Sequence, residues 1–598
     1  MLKKFFCTLA AVMLSFIGLT LIAATPQTNP NLKGWPSYIA MGQVIPNTDQ
    51  QDANELLAGT ATTPTPANII CKFDLINHYT DGGGPIQYSQ NSQGEYVLNE
   101  MSMQTTLSLV DNANYITTTQ NMACKPVLTV YTAAGSGGTA SVVSLNNPQD
   151  MAKNLAYLAL NAYILNGGYG ENAINGYNGG TIILNPDLLS FINQIGQSTF
   201  NSEVINPSQP FVSVDPYTVN YALGFVNFYM NTYKNPALEM FYTWSPNPEW
   251  LMTPSNNTLE QNISYVYSYW ASQSATYNIS TSLTNIVNNS FDSAWAQFTA
   301  DYPNADSYKF TNSENITFTD DLSGWIEANN FIVRTYGPNV PFGWDCGIYQ
   351  NKNVIPNEYE GSVDWVDFAP GSSEVSALLN NSSQFYSITN LPLTNVSNQM
   401  LSSDFLVADI GVYMPLADET SFNNGWLFNA NAYRNWFSFL TNLHTSYNLP
   451  IMLYQVSGAA LPTSANNVTL FNSSTPYNTL ANYIFGNYDL NSGTPNLSSS
   501  AFTATVMPNT YFTSTGDSLL SFLQEGFENS TVTSNYNWSM QNLNTLQNAG
   551  VFAICWGGSA GSWYMPGVSP YFPLSVTSWT SDNGWLNDNV NAYRAANS

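Results

Sequence analysis

Histidine is nearly absent from this chain, which contains only two in 598 residues. Histidine is the usual base of a serine-type catalytic triad, and zinc sites draw on histidine or on clustered cysteines. The sequence contains no Cys-x-x-Cys spacing and no His/Cys cluster. We therefore expect neither such a triad nor a metal site, and nothing in the sequence calls for a cofactor.

Cysteine is also scarce, with five in the whole chain. Cys7 lies in the apolar N-terminal segment, which leaves Cys71, Cys124, Cys346 and Cys555. Four cysteines in an oxidising compartment allow three pairings, and their positions do not choose between them. We expect disulfide bonds of unspecified pairing.

Positive charge is the third deficit: 12 Lys and Arg stand against 39 Asp and Glu, a net charge of −27. Such an acidic surface repels nucleic acid, anionic lipid and acidic polysaccharides. Aromatic residues make up 14% of the chain and charged residues only 9%. Aromatic faces stack on sugar rings, so this composition favours a neutral glycan as the ligand, although it is also common among exported proteins.

Long apolar runs are missing after the first 24 residues. That first segment has Lys3 and Lys4, an apolar stretch from about Phe5 to Ile22, and then two alanines. This order predicts a secretory signal peptide over residues 1–24. A membrane anchor is the alternative, but the small residues and the following Pro26 favour cleavage. We expect a secreted monomer, extracellular or periplasmic, that has no membrane attachment after cleavage.

What the sequence does contain is a series of eight short runs rich in apolar residues, each followed by polar residues. A run that is apolar on both faces is typical of a strand buried in a parallel sheet. The eight predicted strands are residues 38–45, 67–74, 125–132, 180–184, 340–348, 404–413, 449–456 and 550–557.

Helical patterns separate most of these runs, for example at residues 147–166 and 429–447. Eight βα units predict an α/β fold, a (β/α)8 TIM barrel. The barrel occupies residues 66–598, and an N-terminal extension, residues 25–65, carries the first strand. A long helical insertion after the fourth strand (190–339) is predicted to cover the barrel mouth, and a second insertion (459–549) follows the seventh strand.

Catalytic groups of such barrels lie at the C-terminal ends of the strands. For three aspartates near these ends, Asp187, Asp345 and Asp409, we predict catalytic roles. Asp187 is the candidate general acid, and Asp409 the candidate nucleophile or electrostatic stabiliser. Asp345 directly follows Trp344, so one of these two side chains points into the barrel and the other outward. The alternative for each aspartate is a structural role as a turn or hydrogen-bonding residue.

Further residues at or near the same ends are predicted to bind substrate. Tyr413 and Gln455 are candidates for hydrogen bonds, and Trp344 and Trp556 for stacking surfaces, with core packing as the alternative for both tryptophans. The full predicted set is Asp74, His78, Tyr131, Asn185, Trp344, Tyr413, Gln455 and Trp556. Carboxylates and aromatic residues that converge without a histidine or cysteine nucleophile suit glycosidic bond cleavage.

The layout resembles the TIM-barrel glycoside hydrolases and, most closely, the family 18 chitinases. The segments that carry the resemblance are Asn185 to Asp187 after the fourth strand, Tyr413 after the sixth and Trp556 at the end of the eighth. Several spaced aspartates ending in glutamate form the chitinase signature at the fourth strand, and here only Asp187 remains. The resemblance implies a barrel with a sugar-binding cleft.

Two functions follow from these observations. The leading hypothesis is a secreted glycoside hydrolase that cleaves a neutral polysaccharide or oligosaccharide by carboxylate acid/base catalysis. The alternative is a non-catalytic carbohydrate-binding or surface-interaction protein built on a degenerate glycosidase barrel. Rim carboxylates favour the first, and the incomplete fourth-strand signature favours the second.

Overall fold

A computed structural model gives the architecture of the chain. It describes residues 34–45, 48–59, 62–80, 88–90, 92–93, 96–98, 101–133, 147–166, 179–186, 188–189, 216–232, 291–308, 316–346, 398–409, 430–456, 480–485, 540–557 and 585–597, together with residues 32, 145 and 214. The predicted signal peptide lies outside these ranges.

Eight parallel strands close into a barrel, which confirms the predicted TIM-barrel architecture. Around the barrel their order is β1, β10, β9, β8, β7, β6, β5, β2, and β2 pairs again with β1. The strands are β1 (Ala40–Val44), β2 (Leu75–Tyr79), β5 (Lys125–Val130), β6 (Thr181–Leu184), β7 (Phe342–Asp345), β8 (Phe405–Asp409), β9 (Ile451–Val456) and β10 (Val551–Trp556). A separate antiparallel pair, β3 (Tyr88–Gln90) and β4 (Tyr96–Leu98), stands between β2 and β5 in the sequence.

Described α-helices separate most of the barrel strands along the chain. They are α1 (Gln50–Ala58), α2 (Gln104–Gln120), α3 (Pro148–Asn166), α4 (Pro216–Thr232), α5 (Phe291–Asp301), α6 (Leu322–Tyr336), α7 (Ala430–Tyr447), α8 (Leu480–Phe485), α9 (Gln541–Asn548) and α10 (Trp585–Asn597), with a short 3-10 turn at Gln399–Leu401. Helix α6 falls in the predicted insertion, yet it packs on the barrel, since its Trp325 lies 5.5 Å from Trp344 of β7 between ring centroids.

The other two described helices of that insertion, α4 and α5, pack on one another and on α3 outside the barrel. Phe225 of α4 contacts Trp295 of α5 with ring centroids 4.8 Å apart, and Phe291 lies 5.7 Å from Tyr157 of α3. Much of the predicted lid over the mouth falls on residues outside the described ranges. Of the second insertion, the structure describes α8, α9 and the residues adjoining α9.

The second strand is placed wrongly by the sequence pattern. It runs over Leu75–Tyr79, not over residues 67–74. The apolar residues before it are held by other elements: the Gln120 side chain bonds both the N–H and the carbonyl of Phe73, and Ile70 N–H donates to the Leu57 carbonyl. The shift moves Asp74 to the N-terminal end of the barrel, opposite the mouth.

Side chains alternate between two apolar clusters, as expected for strands buried on both faces. The larger cluster lies between barrel and helices. The smaller one fills the barrel and includes Ala40, Val44, Leu75, Tyr79, Val127, Ile183, Phe405, Val407, Met452, Tyr454, Ala553 and Cys555. At the N-terminal end, Trp35 packs edge-on against Phe552 with centroids 5.0 Å apart. Lys125 reaches over Trp35, and burial lowers the pKa of this lysine to about 7.

A buried ion-pair clamp joins β1, β2 and α10 at the N-terminal end. The carboxylate of Asp74 accepts hydrogen bonds from Met41 N–H (2.9 Å), Tyr38 O–H (2.8 Å) and the Arg594 guanidinium (2.7 Å). The backbone N–H of Asp74 donates to the Met41 carbonyl in return (3.0 Å). Asp74 is thus a structural residue. The prediction that it lies at the mouth and binds substrate is wrong, because Asp74 lies at the opposite end of the barrel.

A second clamp repeats this construction four strands further round the barrel. Asp404, the residue before β8, accepts from Phe342 N–H (3.0 Å), donates its own N–H to the Phe342 carbonyl (2.9 Å), and pairs with Arg334 of α6. In both clamps a glycine follows the bonded strand residue, and a Cβ there would meet the neighbouring strand. At Gly42 the nearest atom would be the Leu75 carbonyl oxygen at 1.8 Å, and at Gly343 a Phe405 ring carbon at 2.4 Å.

The structure does not support the predicted disulfides. Cys71, Cys124, Cys346 and Cys555 are each buried, and none of these four described cysteines forms a disulfide bond. Cys555 faces the barrel interior, whereas the other three belong to the outer cluster. Burial raises the pKa of Cys71 to about 12, so this thiol stays protonated and unreactive near neutral pH.

Candidate functional site

Three tyrosines meet inside the barrel at its C-terminal end. Tyr79 ends β2, Tyr131 follows β5, and Tyr454 lies in β9. The rings of Tyr79 and Tyr131 are stacked with centroids 6.3 Å apart and planes 12° apart, and the ring of Tyr454 lies 6.4 Å from that of Tyr79. All three are buried. They form an aromatic floor beneath the barrel mouth.

A chain of hydrogen bonds fixes this floor from below. Asn77 Nδ2 donates to Thr129 Oγ1 at 3.0 Å, and Thr129 Oγ1 donates to the Tyr454 hydroxyl at 3.2 Å. Burial, and next the neighbouring Tyr79, raise the pKa of Tyr454 far above its usual value. The Tyr454 phenol therefore stays neutral at any physiological pH and acts as a hydrogen-bonding group.

Gln455 joins the floor from the side of β9. Its Nε2 donates to the Tyr79 hydroxyl. Gln455 is a partly exposed residue, in contrast to the three buried tyrosines. This position agrees with the prediction that Gln455 lies among the site residues. That Gln455 contacts substrate stays a prediction.

Asp345 ends β7 with its side chain directed into the barrel. The ring of Trp344 packs outward against α6, where its Nε1 donates to Asn330 Oδ1 at 2.8 Å. Because adjacent side chains on a strand point to opposite faces, Asp345 points inward. Asp345 is in register with Val407, an interior residue of β8, and is itself buried. Trp344 is a core residue and provides no stacking surface at the mouth.

Asn185, which follows β6, has a structural role because its side chain binds the loop after β5. Its Oδ1 accepts hydrogen bonds from the N–H groups of Thr132 (2.7 Å) and Ala133 (3.0 Å), and its Nδ2 donates to Thr132 Oγ1 (2.9 Å). The residue is fully buried and has a left-handed φ of 45°. It holds two strand ends together, and these bonds occupy the side chain that was predicted to bind substrate.

Trp556 also lies outside the mouth. It belongs to the outer apolar cluster, and its ring centroid is 6.5 Å from that of Phe485 in α8. Strand parity explains the outcome, because Cys555 occupies the interior position next to it. The core alternative therefore holds for both predicted tryptophan platforms.

His78 lies within β2 and points away from the barrel interior. Its Nδ1 is 2.8 Å from the Ile45 carbonyl, and since a carbonyl only accepts, Nδ1 carries the hydrogen. Burial lowers the pKa of His78 below its usual value, against a smaller opposing effect of this bond. His78 is thus a neutral structural donor and not a loop residue facing substrate.

This histidine makes stability depend on pH. Above the unfolded-state pKa of about 6.5, both states carry a neutral imidazole. Below it the unfolded state binds the proton first, because the folded-state pKa is lower, so acid destabilises the fold. We expect His78→Asn, which retains a donor for the Ile45 carbonyl, to lose less stability than wild type between pH 8 and pH 5. Urea unfolding at several pH values measures this, and parallel curves for the two proteins would contradict it.

The remaining predicted residues cannot be placed in the same way. Asp187 and Tyr413 lie outside the described residues, and for Asp409 the structure describes the backbone alone. Asp409 ends β8 and pairs in register with Tyr454. Two floor residues, Tyr79 and Tyr454, were not predicted. The alternation of the segment LINHY, with Leu75 four residues and Asn77 two residues before Tyr79, is the signal that could have revealed the first.

Comparison with protein-family models, with curated proteins and with solved structures finds no match for this chain. Its class therefore rests on the closed parallel barrel, an α/β protein of TIM-barrel architecture. Within the described ranges, no three His, Cys, Asp or Glu side chains are grouped so that they could hold a metal ion. No helix in those ranges has the length and apolar character needed to cross a membrane.

Proposed function

We propose that this protein is a secreted glycoside hydrolase that binds a neutral glycan at the C-terminal ends of its barrel strands. The observation that carries the proposal is the tyrosine floor of Tyr79, Tyr131 and Tyr454, which lies inside the barrel at the end where Asp345 also points inward. Aromatic rings and carboxylates are the groups that pyranose binding and glycosidic cleavage use.

Two aspartates on neighbouring strands supply the acid/base pair in this proposal. Asp345 ends β7, and Asp409 ends β8 two residues beyond Val407, the register partner of Asp345. Strand rise and spacing put their Cα atoms about 8 Å apart. In glycosidases two carboxyl groups flank the scissile bond, where one protonates the leaving oxygen and the other assists at the anomeric carbon. Asp187, which follows the fourth barrel strand, is a further candidate for the acid.

The neutral class of the glycan follows from charge. The chain carries −27, and a uronic acid or sulfated sugar would be repelled on approach. The tyrosine floor, whose rings are buried, contributes uncharged phenol hydroxyls, which suit hydrogen bonding to uncharged sugars.

A non-catalytic carbohydrate-binding protein is the second candidate. It is favoured by the role of Asn185, since the segment after the fourth strand uses its first polar side chain to bind the neighbouring loop. Neither the fourth strand nor Asn185 provides a carboxylate, and the first carboxylate after this strand is that of Asp187.

Product release from a panel of neutral glycans tests the proposal. Purified mature protein is incubated with chitin, β-glucan, mannan and starch at acidic to neutral pH, and soluble oligosaccharides are separated and quantified. Release of defined products from one glycan is the expected result. Binding without release supports the second candidate, and neither binding nor release from any glycan would overturn both.

A further inference from the structure

Gln455 occupies an irregular position in β9. Leu453 is in register with Ile554 of β10, whereas Val456 is in register with Trp556, so β9 contains one residue more than β10 over this interval. Such a bulge bends a strand and redirects a side chain, and bulges are common beside active sites. Here the irregularity falls on Gln455 at the mouth end of the strand.

The backbone of Gln455 is strained. Its φ is +50°, in the left-handed region. The other described non-glycine residues with positive φ are all asparagines, Asn121, Asn185 and Asn448. Asparagine tolerates this region, whereas a longer side chain adopts it at an energetic cost. Strain of this kind is concentrated at functional sites, where the surrounding structure holds it.

The strained conformation directs the amide towards the tyrosine floor. Gln455 Nε2 donates to the Tyr79 hydroxyl, which restrains the orientation of the amide and, with it, that of Oε1. Within the part of the chain that the structure describes, no donor reaches this oxygen. Gln455 is also partly exposed, while Tyr79 and Tyr454 beside it are buried. A fixed acceptor thus stands at the edge of the floor.

We propose that Gln455 is a specificity-determining residue whose Oε1 accepts a hydrogen bond from a hydroxyl of the bound sugar. This inference rests on the proposed function and adds the side chain that recognises a hydroxyl group of the sugar. An oriented acceptor selects ligands that present a hydroxyl or amide hydrogen there, and a carboxylate in that position would be repelled. A polar site built in this way strongly rejects analogues that lack the hydrogen bond.

Oligosaccharide affinity measures the recognition directly. Wild type, Gln455→Leu and Gln455→Glu are titrated with chitotetraose, cellotetraose, mannotetraose and maltotetraose by calorimetry, and KM and kcat are measured wherever turnover occurs. We expect Gln455→Leu to weaken the affinity for the preferred tetrasaccharide about 10-fold, which corresponds to the loss of one good hydrogen bond. The differences in affinity among the four tetrasaccharides should become smaller. The loss should appear in Kd or KM more than in kcat. Gln455→Glu cannot donate to Tyr79, so we expect it to lose affinity too, and unchanged affinity in both variants would overturn the inference.

Thermal stability separates this role from a structural one. Gln455→Gly removes the backbone strain, and Asn448→Gly, at a left-handed position between α7 and β9, is the matched control. If Gln455 is retained for ligand recognition, Gln455→Gly melts at or above the Tm of wild type, with a gain larger than that of the control. A Tm clearly below wild type would show that Gln455 stabilises the fold and would overturn the inference. Should wild type bind none of the four sugars, the proposed function fails, and the Tm comparison still decides whether Gln455 is held for structural reasons.

Discussion

Replacing Asp74 by alanine is expected to lower the free energy of unfolding by about 3–5 kcal/mol, the usual cost of breaking a buried ion pair from one side. The side chains of Arg594 and Asp74 are only 8% and 6% exposed, so the guanidinium would remain buried without its counter-charge. The backbone N–H of Met41 and the hydroxyl of Tyr38 would lose their acceptor as well. Urea unfolding followed by circular dichroism measures the loss.

Asp404→Ala is the matched control, because the second clamp has the same backbone bonds in a more solvated setting. The side chains of Arg334 and Asp404 are 18% and 23% exposed, so water takes over part of the lost interaction. We expect a smaller loss, roughly 1–2 kcal/mol. Adding Arg594→Met to Asp74→Ala should recover much of the first loss, since the uncompensated charge is removed. An Asp404→Ala loss equal to or larger than that of Asp74→Ala would contradict this account of the clamps.

The two clamps relate the halves of the barrel in a way that the sequence does not display. Each joins an aspartate before one strand, a backbone pair and a glycine in the preceding strand, and an arginine near the end of a helix. The joined residues are far apart in the chain, with Arg594 520 positions from Asp74 and Arg334 70 positions from Asp404. The two clamps therefore share no common spacing along the chain, and the sequence shows no repeat. The repeat becomes visible only when the strands close.

The barrel itself could be predicted because burial on both faces leaves a strong local signal. Seven of its strands coincide with apolar runs such as residues 404–413, which contain β8. The second strand was not predicted at its correct position because its polar residues form hydrogen bonds with partners that the local sequence does not reveal. Asn77 bonds across to Thr129 inside the barrel, and His78 bonds outward to the Ile45 carbonyl. The more apolar residues just before it were therefore mistaken for the strand.

The candidate site was predictable in location but only partly in composition. The apolar runs locate the strand ends closely enough to predict Tyr131, Asp345 and Gln455 as residues of the C-terminal end of the barrel, where the structure places them. Whether a side chain points in or out depends on strand parity, and an error of one residue reverses it. That sensitivity accounts for Trp344 and Trp556, which face the helices. The bulge at Gln455 also changes which side chains of β9 point inward, and no sequence pattern predicts this bulge.

Asp345→Asn is expected to have the largest effect on activity, a loss of about 10²–10⁴-fold in kcat on whichever glycan the wild type cleaves, the range for removal of a general acid or base. The substitution retains the size of the side chain and removes its ability to exchange a proton. Asp409→Asn should cause a comparable loss, and the double variant should be little worse than the poorer single variant, because residues acting as one unit are not additive. Initial rates at saturating and limiting glycan give kcat and KM for each variant.

The conservative Asp404→Asn, at the opposite end of the barrel, controls for a general effect of losing a carboxylate. It should leave kcat unchanged at temperatures where the protein remains folded. If Asp345→Asn retains glycan binding and Tm while turnover falls, the carboxyl group acts in the chemistry. If Tm and activity fall together, Asp345 supports the interior of β7, and the search for the acid moves to Asp187. Full activity in both Asp345→Asn and Asp409→Asn would remove the pair from the reaction altogether.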